Sequence, residues 1–339
     1  MIILGIETSC DETSAAILQK QNNRLILKAN VIASSLAMHT KTGGIIPENA
    51  AREQVKYILP VITEALEQAQ LRITDVDAIA LTAGPGLIGS LLVGVETAKT
   101  LSYVLDKPLI PINHMLGHIY ANWIDHPEIA FPALALVVSG GHTDLVVLKD
   151  HGSLKLLGGT RDDAAGEAFD KIARLLGQPY PGGPFIEEQA KNGNPKRFHF
   201  PRPLIGSGDY EFSFSGLKTA VLREVQQLQK ANELLDQQTI ADIACATQQA
   251  VVSVLVKKVL KAAMEYNIKS IIVSGGVSAN QLLRDELISA TAKAMPDAKV
   301  YAPSKGLSTD NGAMIAAAAA YNFKPVPWQD ITADPELYF

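Results

Sequence analysis

The order of apolar runs and glycine turns repeats along this chain, and that repeat restricts the fold more than any other feature. A strand signal over 2–6 stops at the polar cluster Glu7-Thr8-Ser9-Cys10-Asp11-Glu12-Thr13. Strand signals follow at 14–18 and, past the turn Gln21-Asn22-Asn23, at 25–33, the pattern of an antiparallel meander. Val55, Ile58, Leu59, Ile62 and Leu66 have the spacing of a helix over 47–70. A short buried strand at 77–82 runs into Gly84-Pro85-Gly86, a helix carries Leu91, Val95, Ala98, Leu101 and Leu105, and a strand closes the set at 109–112.

The same order then begins again. An apolar strand at 132–138 is stopped by Ser139-Gly140-Gly141-His142-Thr143, and a strand returns over 145–148. A helix is expected over 240–266 and a strand over 270–273. That strand leads into Gly275-Gly276-Val277-Ser278-Ala279-Asn280 and a further helix. A short strand at 300–301 and an alanine-rich helix over 310–321 end the series. Residues 5–18 match 137–148, and 79–86 match 271–278. Two α/β lobes of one topology are therefore expected, with their glycine turns around a common cleft where strand ends and helix starts converge. Residues 159–235 have no counterpart in the first half and read as an insertion, the natural place for substrate specificity.

At 339 residues the chain suits two such lobes. With 47% apolar and 19% charged residues it has the balance of a folded globular protein. A formal net charge of −5 argues against binding nucleic acid by charge alone, while a local basic patch stays compatible with a nucleic-acid substrate. The two cysteines, Cys10 and Cys245, form no paired motif, as expected in a reducing compartment. The first residues read as a buried strand and not as a signal peptide, and no apolar run is expected to span a bilayer, so the cytoplasm is the expected location.

Backbone amides at a strand-to-helix turn can hold phosphate oxygens, and Ser139-Gly140-Gly141-His142-Thr143 and Ser274-Gly275-Gly276-Val277 both fit; glycines that merely turn the chain are the plain alternative. A Walker lysine loop and the G-x-G-x-x-G fingerprint are both absent from the sequence. In Asn113-His114-Met115-Leu116-Gly117-His118 the two histidines share one helical face, which suits a divalent metal. The third, oxygen ligand is expected from Asp310, in the opposite lobe; a first-turn helix acid is its plain alternative. A zinc-protease reading fails because Met115 stands where H-E-x-x-H needs its glutamate. Asp11 and Glu12, with Glu7 nearby, are expected to face the phosphate end of a nucleotide, acting through a metal or as proton acceptor; a solvated acidic turn is the alternative. Cys10 reads as a packing residue. In the insertion, Lys191, Lys196, Arg197, Arg202, Lys218 and Arg223 alternate with Phe198, Phe200, Phe212 and Phe214, a pattern that can grip phosphates and stack bases, or else cover a small subcore.

Taken in order, the motifs resemble one family over nearly the whole chain. They are Gly5-Ile6-Glu7-Thr8-Ser9-Cys10-Asp11-Glu12-Thr13, Gly43-Gly44-Ile45-Ile46-Pro47-Glu48, Gly84-Pro85-Gly86-Leu87, Asn113-His114 with His118, and Ser139-Gly140-Gly141-His142-Thr143. Ala168-Phe169-Asp170-Lys171, Tyr180-Pro181-Gly182-Gly183-Pro184, Phe212-Ser213-Phe214-Ser215-Gly216-Leu217-Lys218, Gly275-Gly276-Val277-Ser278-Ala279-Asn280 and Ser308-Thr309-Asp310-Asn311-Gly312 follow. The chain resembles the bacterial tRNA N6-adenosine threonylcarbamoyltransferases.

That resemblance implies the duplicated α/β fold of actin, hexokinase and the heat-shock ATPases (the ribonuclease H-like ASKHA fold), with lobes at 1–112 and 113–339. A helical insertion falls at about 159–235, and the last helix is free to pack back on the first lobe. It implies transfer of threonylcarbamoyl from threonylcarbamoyl-AMP to N6 of the adenosine 3′ of the anticodon, with AMP released. Metal ligands carry over to His114, His118 and Asp310, with one divalent ion per subunit, Fe2+ before Zn2+. Donor-binding positions carry over to Val137, Val138, Ser139, Gly140, Gly141, Asp170, Gly183, Glu187 and Asn280. Asp11 and Glu12 are the expected proton acceptors. Gln54 departs from the family, many of whose members have histidine after Ala51-Arg52-Glu53, and that segment is assigned no catalytic role. The implied partners are the tRNA anticodon loop, a paralogous ASKHA subunit and a small P-loop ATPase. The rival readings are a sugar or acetate kinase of the same fold, a non-catalytic scaffold subunit and a metallopeptidase.

Overall fold

The computed structural model describes residues 1–35, 46–178, 180–230 and 235–338. In chain order, the first elements are β1 (Ile2–Glu7), β2 (Glu12–Gln21), β3 (Arg24–Ser34), α1 (Pro47–Ala69), β4 (Ala78–Gly84) and α2 (Ile88–Leu105). Next come β5 (Leu109–Asn113), α3 (His114–Tyr120), α4 (Asn122–Asp125), β6 (Ala133–Val138), β7 (Thr143–Asp150) and β8 (Ser153–Gly158). Then follow α5 (Ala165–Leu175), α6 (Gly182–Ala190), α7 (Ser215–Lys230) and α8 (Gln237–Glu265). The chain ends with β9 (Ser270–Ser274), α9 (Gln281–Ala294), β10 (Lys299–Tyr301) and α10 (Gly312–Tyr321). These residues form two compact units. One is Met1–Ile129 with His151–Ser153 and Pro303–Phe339, and the other is Ala130–Asp150 with Leu154–Ala302.

The first unit is built on a sheet of order β3-β2-β1-β4-β5. β1 is an apolar run buried from Ile3 onward, and it pairs antiparallel with β2 (Ile3 opposite Leu18) and parallel with β4 (Leu4 opposite Ile79). A parallel neighbour needs a crossover, and α2 supplies it between β4 and β5. Leu4, Ile6, Ile17, Val31, Ile79 and Leu81 from the sheet meet Ile58 and Ile62 of α1 and Val95 of α2 in one core.

Between the expected and the observed division lies a difference at both ends of the second lobe. α3 and α4 remain in the first unit, and 303–339 returns to it, so Asp310 shares a unit with His114 and His118 instead of arriving from the opposite lobe. The cause is α10, a helix of small side chains buried from Gly312 through Ala320, which packs on β1, β2 and α3. Its first turn meets β1 backbone to backbone. A Cβ on Gly5 would lie 2.2 Å from the Gly312 carbonyl oxygen, and one on Gly312 2.6 Å from that of Gly5. The Gly312 N–H donates to Ser14 Oγ at 2.8 Å.

The second unit repeats the topology in a sheet of order β10-β9-β6-β7-β8. β6 pairs antiparallel with β7 and parallel with β9, and β9 pairs parallel with β10, as β1, β2, β4 and β5 do in the first unit. Residues 159–230 supply α5, α6 and α7, and they enlarge the main core instead of building a subcore. Phe169, Ile186, Phe198, Phe212, Phe214, Leu217 and Val221 join Leu134, Val273 and the α8 residues Val251 and Leu255 in one cluster. Phe198, Phe212 and Phe214 are thus buried and not available to stack bases, Arg197 pairs with Asp242 and Lys191 with Glu188.

Among the described residues two helices, α2 and α8, are long and apolar enough to cross a membrane, although no such run was expected from the sequence. In α8 the apolar stretch is 78% buried inside the protein, so its character is that of a central core helix.

Because β1 and α10 touch at backbone distance, Gly5→Ala is expected to lower the unfolding free energy by about 2 kcal/mol or more, the cost of overpacking a rigid contact. Denaturant titration measures it, and an unchanged midpoint would show that α10 is not seated on β1.

Candidate functional site

β5 delivers the chain to Asn113, whose side-chain oxygen accepts from the Met115 and Leu116 N–H groups at 2.9 and 3.2 Å. This cap starts α3 at His114, and a helical turn then brings His118 onto the same face, with ring centroids 4.6 Å apart. At the other end of the chain Asn311 caps α10 by accepting from Met314 N–H at 3.0 Å, which fixes Asp310 just ahead of the helix. Asp310 Oδ1 lies 3.1 Å from His118 Nε2 and 3.6 Å from His114 Nε2. One ligand atom from each of the three residues falls within 4.8 Å of the other two.

These residues fit a divalent ion. Both imidazoles are buried, and neither ring nitrogen of His118 has a hydrogen-bond partner among the described residues. Two imidazoles and a carboxylate are the donor set of many sites that keep positions open to substrate. Burial disfavours a charged His114, but the carboxylates of Asp310 and Glu7 outweigh it and raise its pKa to about 9.

The turn between β1 and β2 is held from several elements. Gln54 of α1 donates its amide to the carbonyls of Cys10 at 2.9 Å, Glu12 at 3.1 Å and Thr8 at 3.4 Å. Ser90 of α2 donates to the Cys10 carbonyl, and Ser35 donates to that of Asp11 through both its N–H and its hydroxyl. Asp11 is buried. Burial first, then the charges of Asp310 and Asp11, push the Glu12 carboxyl up to about 10, so it carries a proton at neutral pH. Burial and the same carboxylates push the Cys10 thiol up as well, which leaves it without nucleophilic thiolate.

Two residues of this region take parts that the sequence did not suggest. Glu7, expected to face a nucleotide, is fully buried and turned toward His114. It accepts from Ser9 N–H at 2.6 Å and from the Thr82 hydroxyl, with Oε2 3.3 Å from His114 Nδ1. A charged residue in an otherwise apolar buried strand is the signal that marks it, since buried charges are almost always paired. Gln54 falls on the buried stripe Ala50, Gln54, Ile58, Val61, Ile62 and Ala65 of α1, and an amide on such a stripe needs partners. Of the motif at 43–48, Gly43, Gly44 and Ile45 lie outside the described residues.

In the second unit, Val137 and Val138 bury their side chains in β6, leaving only backbone to offer a ligand. Ser139 then turns the chain: its N–H donates to the His142 carbonyl at 2.9 Å and its hydroxyl accepts from His142 N–H at 3.2 Å. Gly166, at the start of α5, donates its N–H to the Ser139 carbonyl at 3.1 Å. Asp170 accepts from Gly182 N–H at 2.6 Å and also from Gly183, holding the start of α6. Burial raises the Asp170 pKa against those two hydrogen bonds. Glu187 accepts from Gln281 N–H at 2.8 Å, and Asn280 caps α9 while accepting from Gln248 at 3.1 Å. No atom lies within 4 Å of where a Cβ would stand on Gly140, Gly141, Gly183 or Gly276, so backbone can approach a ligand closely there.

A cation entering at His114 must displace the proton held there near neutral pH. Zinc affinity is therefore expected to strengthen about tenfold per pH unit between roughly pH 6 and 8, still below the folded pKa. Titration against a chromophoric chelator at two pH values reads this slope, and a flat response would mean that His114 does not bind through the protonated nitrogen.

The family model described as tRNA N6-adenosine threonylcarbamoyltransferase matches residues 26–317. Proteins of that name from Moorella thermoacetica and Syntrophomonas wolfei are 51% and 48% identical to this chain, each over 95% of it and 92% of the relative. Among solved structures, component A of the (R)-2-hydroxyglutaryl-CoA dehydratase of Acidaminococcus fermentans superposes with a TM-score of 0.56 at 16% identity, over 95% of this chain and 98% of that one. Full-length HypF in a phosphate- and nucleotide-bound form gives 0.62 at 15% identity, over 96% of this chain and 47% of that one. These structural likenesses establish the fold, the duplicated ASKHA α/β fold. The match to the family model and the near-full-length relatives establish the rest: the chain belongs to the tRNA N6-adenosine threonylcarbamoyltransferase family.

Proposed function

We propose that the chain transfers threonylcarbamoyl from threonylcarbamoyl-AMP to N6 of the adenosine immediately 3′ of the anticodon, in tRNAs reading codons that start with A, and releases AMP. The observation that carries this reading is the buried His114–His118–Asp310 triad, in a chain 51% identical to a protein named for the transfer. A kinase of the same fold gives no reason for a buried histidine pair, and a scaffold has no need to bring three ligand atoms within 4.8 Å.

AMP is a good leaving group, so the reaction asks little of an acid catalyst. It needs the amine oriented and the charge on the carbamoyl oxygen stabilised. His114, His118 and Asp310 would hold one divalent ion, Fe2+ or Zn2+, which when bound supplies positive charge and open coordination positions for the threonylcarbamoyl group. The Ser139, Gly140, Gly141 and Gly183 backbone holds the nucleotide part of the donor, on turns whose shape Asp170, Glu187 and Asn280 maintain. Asp11 or Glu12, both on the turn between β1 and β2, accepts the proton lost from N6. The tRNA anticodon loop is the acceptor, and a paralogous ASKHA subunit and a small P-loop ATPase complete the working assembly.

The test supplies the donor, unmodified tRNA and the two partner proteins, and reads nucleosides from digested tRNA by mass. His114→Ala is expected to lower product by ~10²-fold or more, since it removes a ligand of the charge-stabilising ion. Asp11→Asn is expected to lower kcat by ~10²-fold or more with KM for the donor kept, as for loss of a general base. Full turnover in Asp11→Asn would place the proton acceptor elsewhere, and full turnover in His114→Ala would remove the metal from the reaction.

A further inference from the structure

Glu7 has no exposed surface, and it sits at the end of a strand whose other residues are apolar. An ionised carboxylate in such a place is stable only if its oxygens are fully engaged. One oxygen takes the Ser9 N–H at 2.6 Å, and the other takes the Thr82 hydroxyl and faces His114 Nδ1 at 3.3 Å. Ser9 and Thr82 fix where the carboxylate points. His114 is the partner toward which it is aimed.

A second group also reaches Nδ1. Ser9 Oγ lies 3.1 Å from it, and a hydroxyl either donates or accepts. With Ser9 alone, the hydroxyl could donate to Nδ1 and leave the imidazole proton on Nε2, the nitrogen that faces Asp310 at 3.6 Å. An ionised carboxylate only accepts. Next to Glu7, Nδ1 keeps its hydrogen, so Nε2, the nitrogen that faces Asp310, is the one left to give up its proton to an arriving cation. His118 has no comparable support: its Nδ1 is buried without a hydrogen-bond partner among the described residues.

We infer that Glu7 is a positioning residue for the metal site: it fixes the His114 tautomer that offers Nε2 to a divalent cation, and it makes that imidazole a stronger donor. The inference rests on reading His114, His118 and Asp310 as metal ligands. Glu7 reaches neither the ion nor the substrate and acts through His114.

The test uses the full chain and Zn2+ as the probe. Affinity is measured by competition with a chromophoric chelator for wild type, Glu7→Gln and His118→Ala, with thermal unfolding as a check on folding. Glu7→Gln keeps the size of the side chain and an oxygen for Ser9, and is expected to weaken zinc binding ~10–100-fold, the usual effect of losing the carboxylate behind a ligating histidine. Imidazole 15N shifts of zinc-loaded wild type give a readout that needs no variant: His114 should show a protonated Nδ1 and a metal-bound Nε2. Unchanged affinity in folded Glu7→Gln, or a metal-bound Nδ1 in wild type, overturns the inference about Glu7. Zinc affinity unaffected by His118→Ala overturns the metal reading itself.

Discussion

The last helix rests on the first strand at a distance that admits no side chain from either. Gly5 and Gly312 face each other there, and a Cβ on either would penetrate the backbone of its neighbour. Because Asp310 stands just ahead of α10, this contact decides how far its carboxylate reaches toward α3, which packs against the same helix. Metal–ligand bonds to nitrogen and oxygen are about 2.0–2.2 Å long, and an error near 1 Å in one donor loses the ion. The alanine-rich composition of α10 is therefore a positional requirement as well as a packing one: larger side chains would lift the helix and withdraw Asp310 from the two histidines.

That packing also concentrates acidic side chains. Glu7, Asp11, Glu12 and Asp310 all lie close to His114 or to one another, and burial makes each costly to leave unpaired. Two raised pKa values follow, from burial and then neighbouring carboxylates for Glu12, and from neighbouring carboxylates that outweigh burial for His114. His114 holds a proton up to about pH 9 and Glu12 up to about 10. A divalent cation at the triad would be attracted by these carboxylates and release protons as it binds, so the local charge favours an ion where the donor geometry also suits one. Cys10, lodged among these carboxylates, is kept as a neutral thiol by burial first and then by their charge.

Much of this was legible in the sequence because the duplicated pattern is strong. The expected strands and long helices appear in order, and the two sheets share one topology. The pairing of His114 with His118 followed from helical spacing, and Asp310 from its residue type. Asp310 was expected from the opposite lobe while the last helix was left free to pack back on the first, since a run of alanines shows that a helix is buried without showing against what; the structure takes the second course. The short strand Ser153–Gly158 was missed because most of its residues are exposed or half-buried and carry little periodic signal. Basic and aromatic residues alternating in the insertion suggested a nucleic-acid surface, yet Phe212 and Phe214 are fully buried. Alternation in sequence sets which residues separate between two faces and leaves open which face meets solvent. Glu7 was counted with its acidic neighbours because sequence gives proximity along the chain and not direction.

Direction matters equally in the second unit. Asp170, Glu187 and Asn280 were all expected to touch the donor, and each spends side-chain oxygen on the N–H groups that open a helix: Gly182, Gln281 and Leu283. A carboxylate committed to a helix start is a poor partner for a phosphate, since like charges repel and its acceptor sites are in use. The same hydrogen bonds hold the glycine turns in shape, and peptide N–H groups there carry no charge of their own that must be neutralised before a phosphate is bound. Recognition of an adenylate by such turns depends on backbone placement more than on side-chain chemistry. If these turns hold the donor as proposed, replacing Asp170 or Asn280 would act on it through the turn each supports, and added bulk on Gly140 or Gly183, where only chain neighbours stand within 4 Å, would act on it directly.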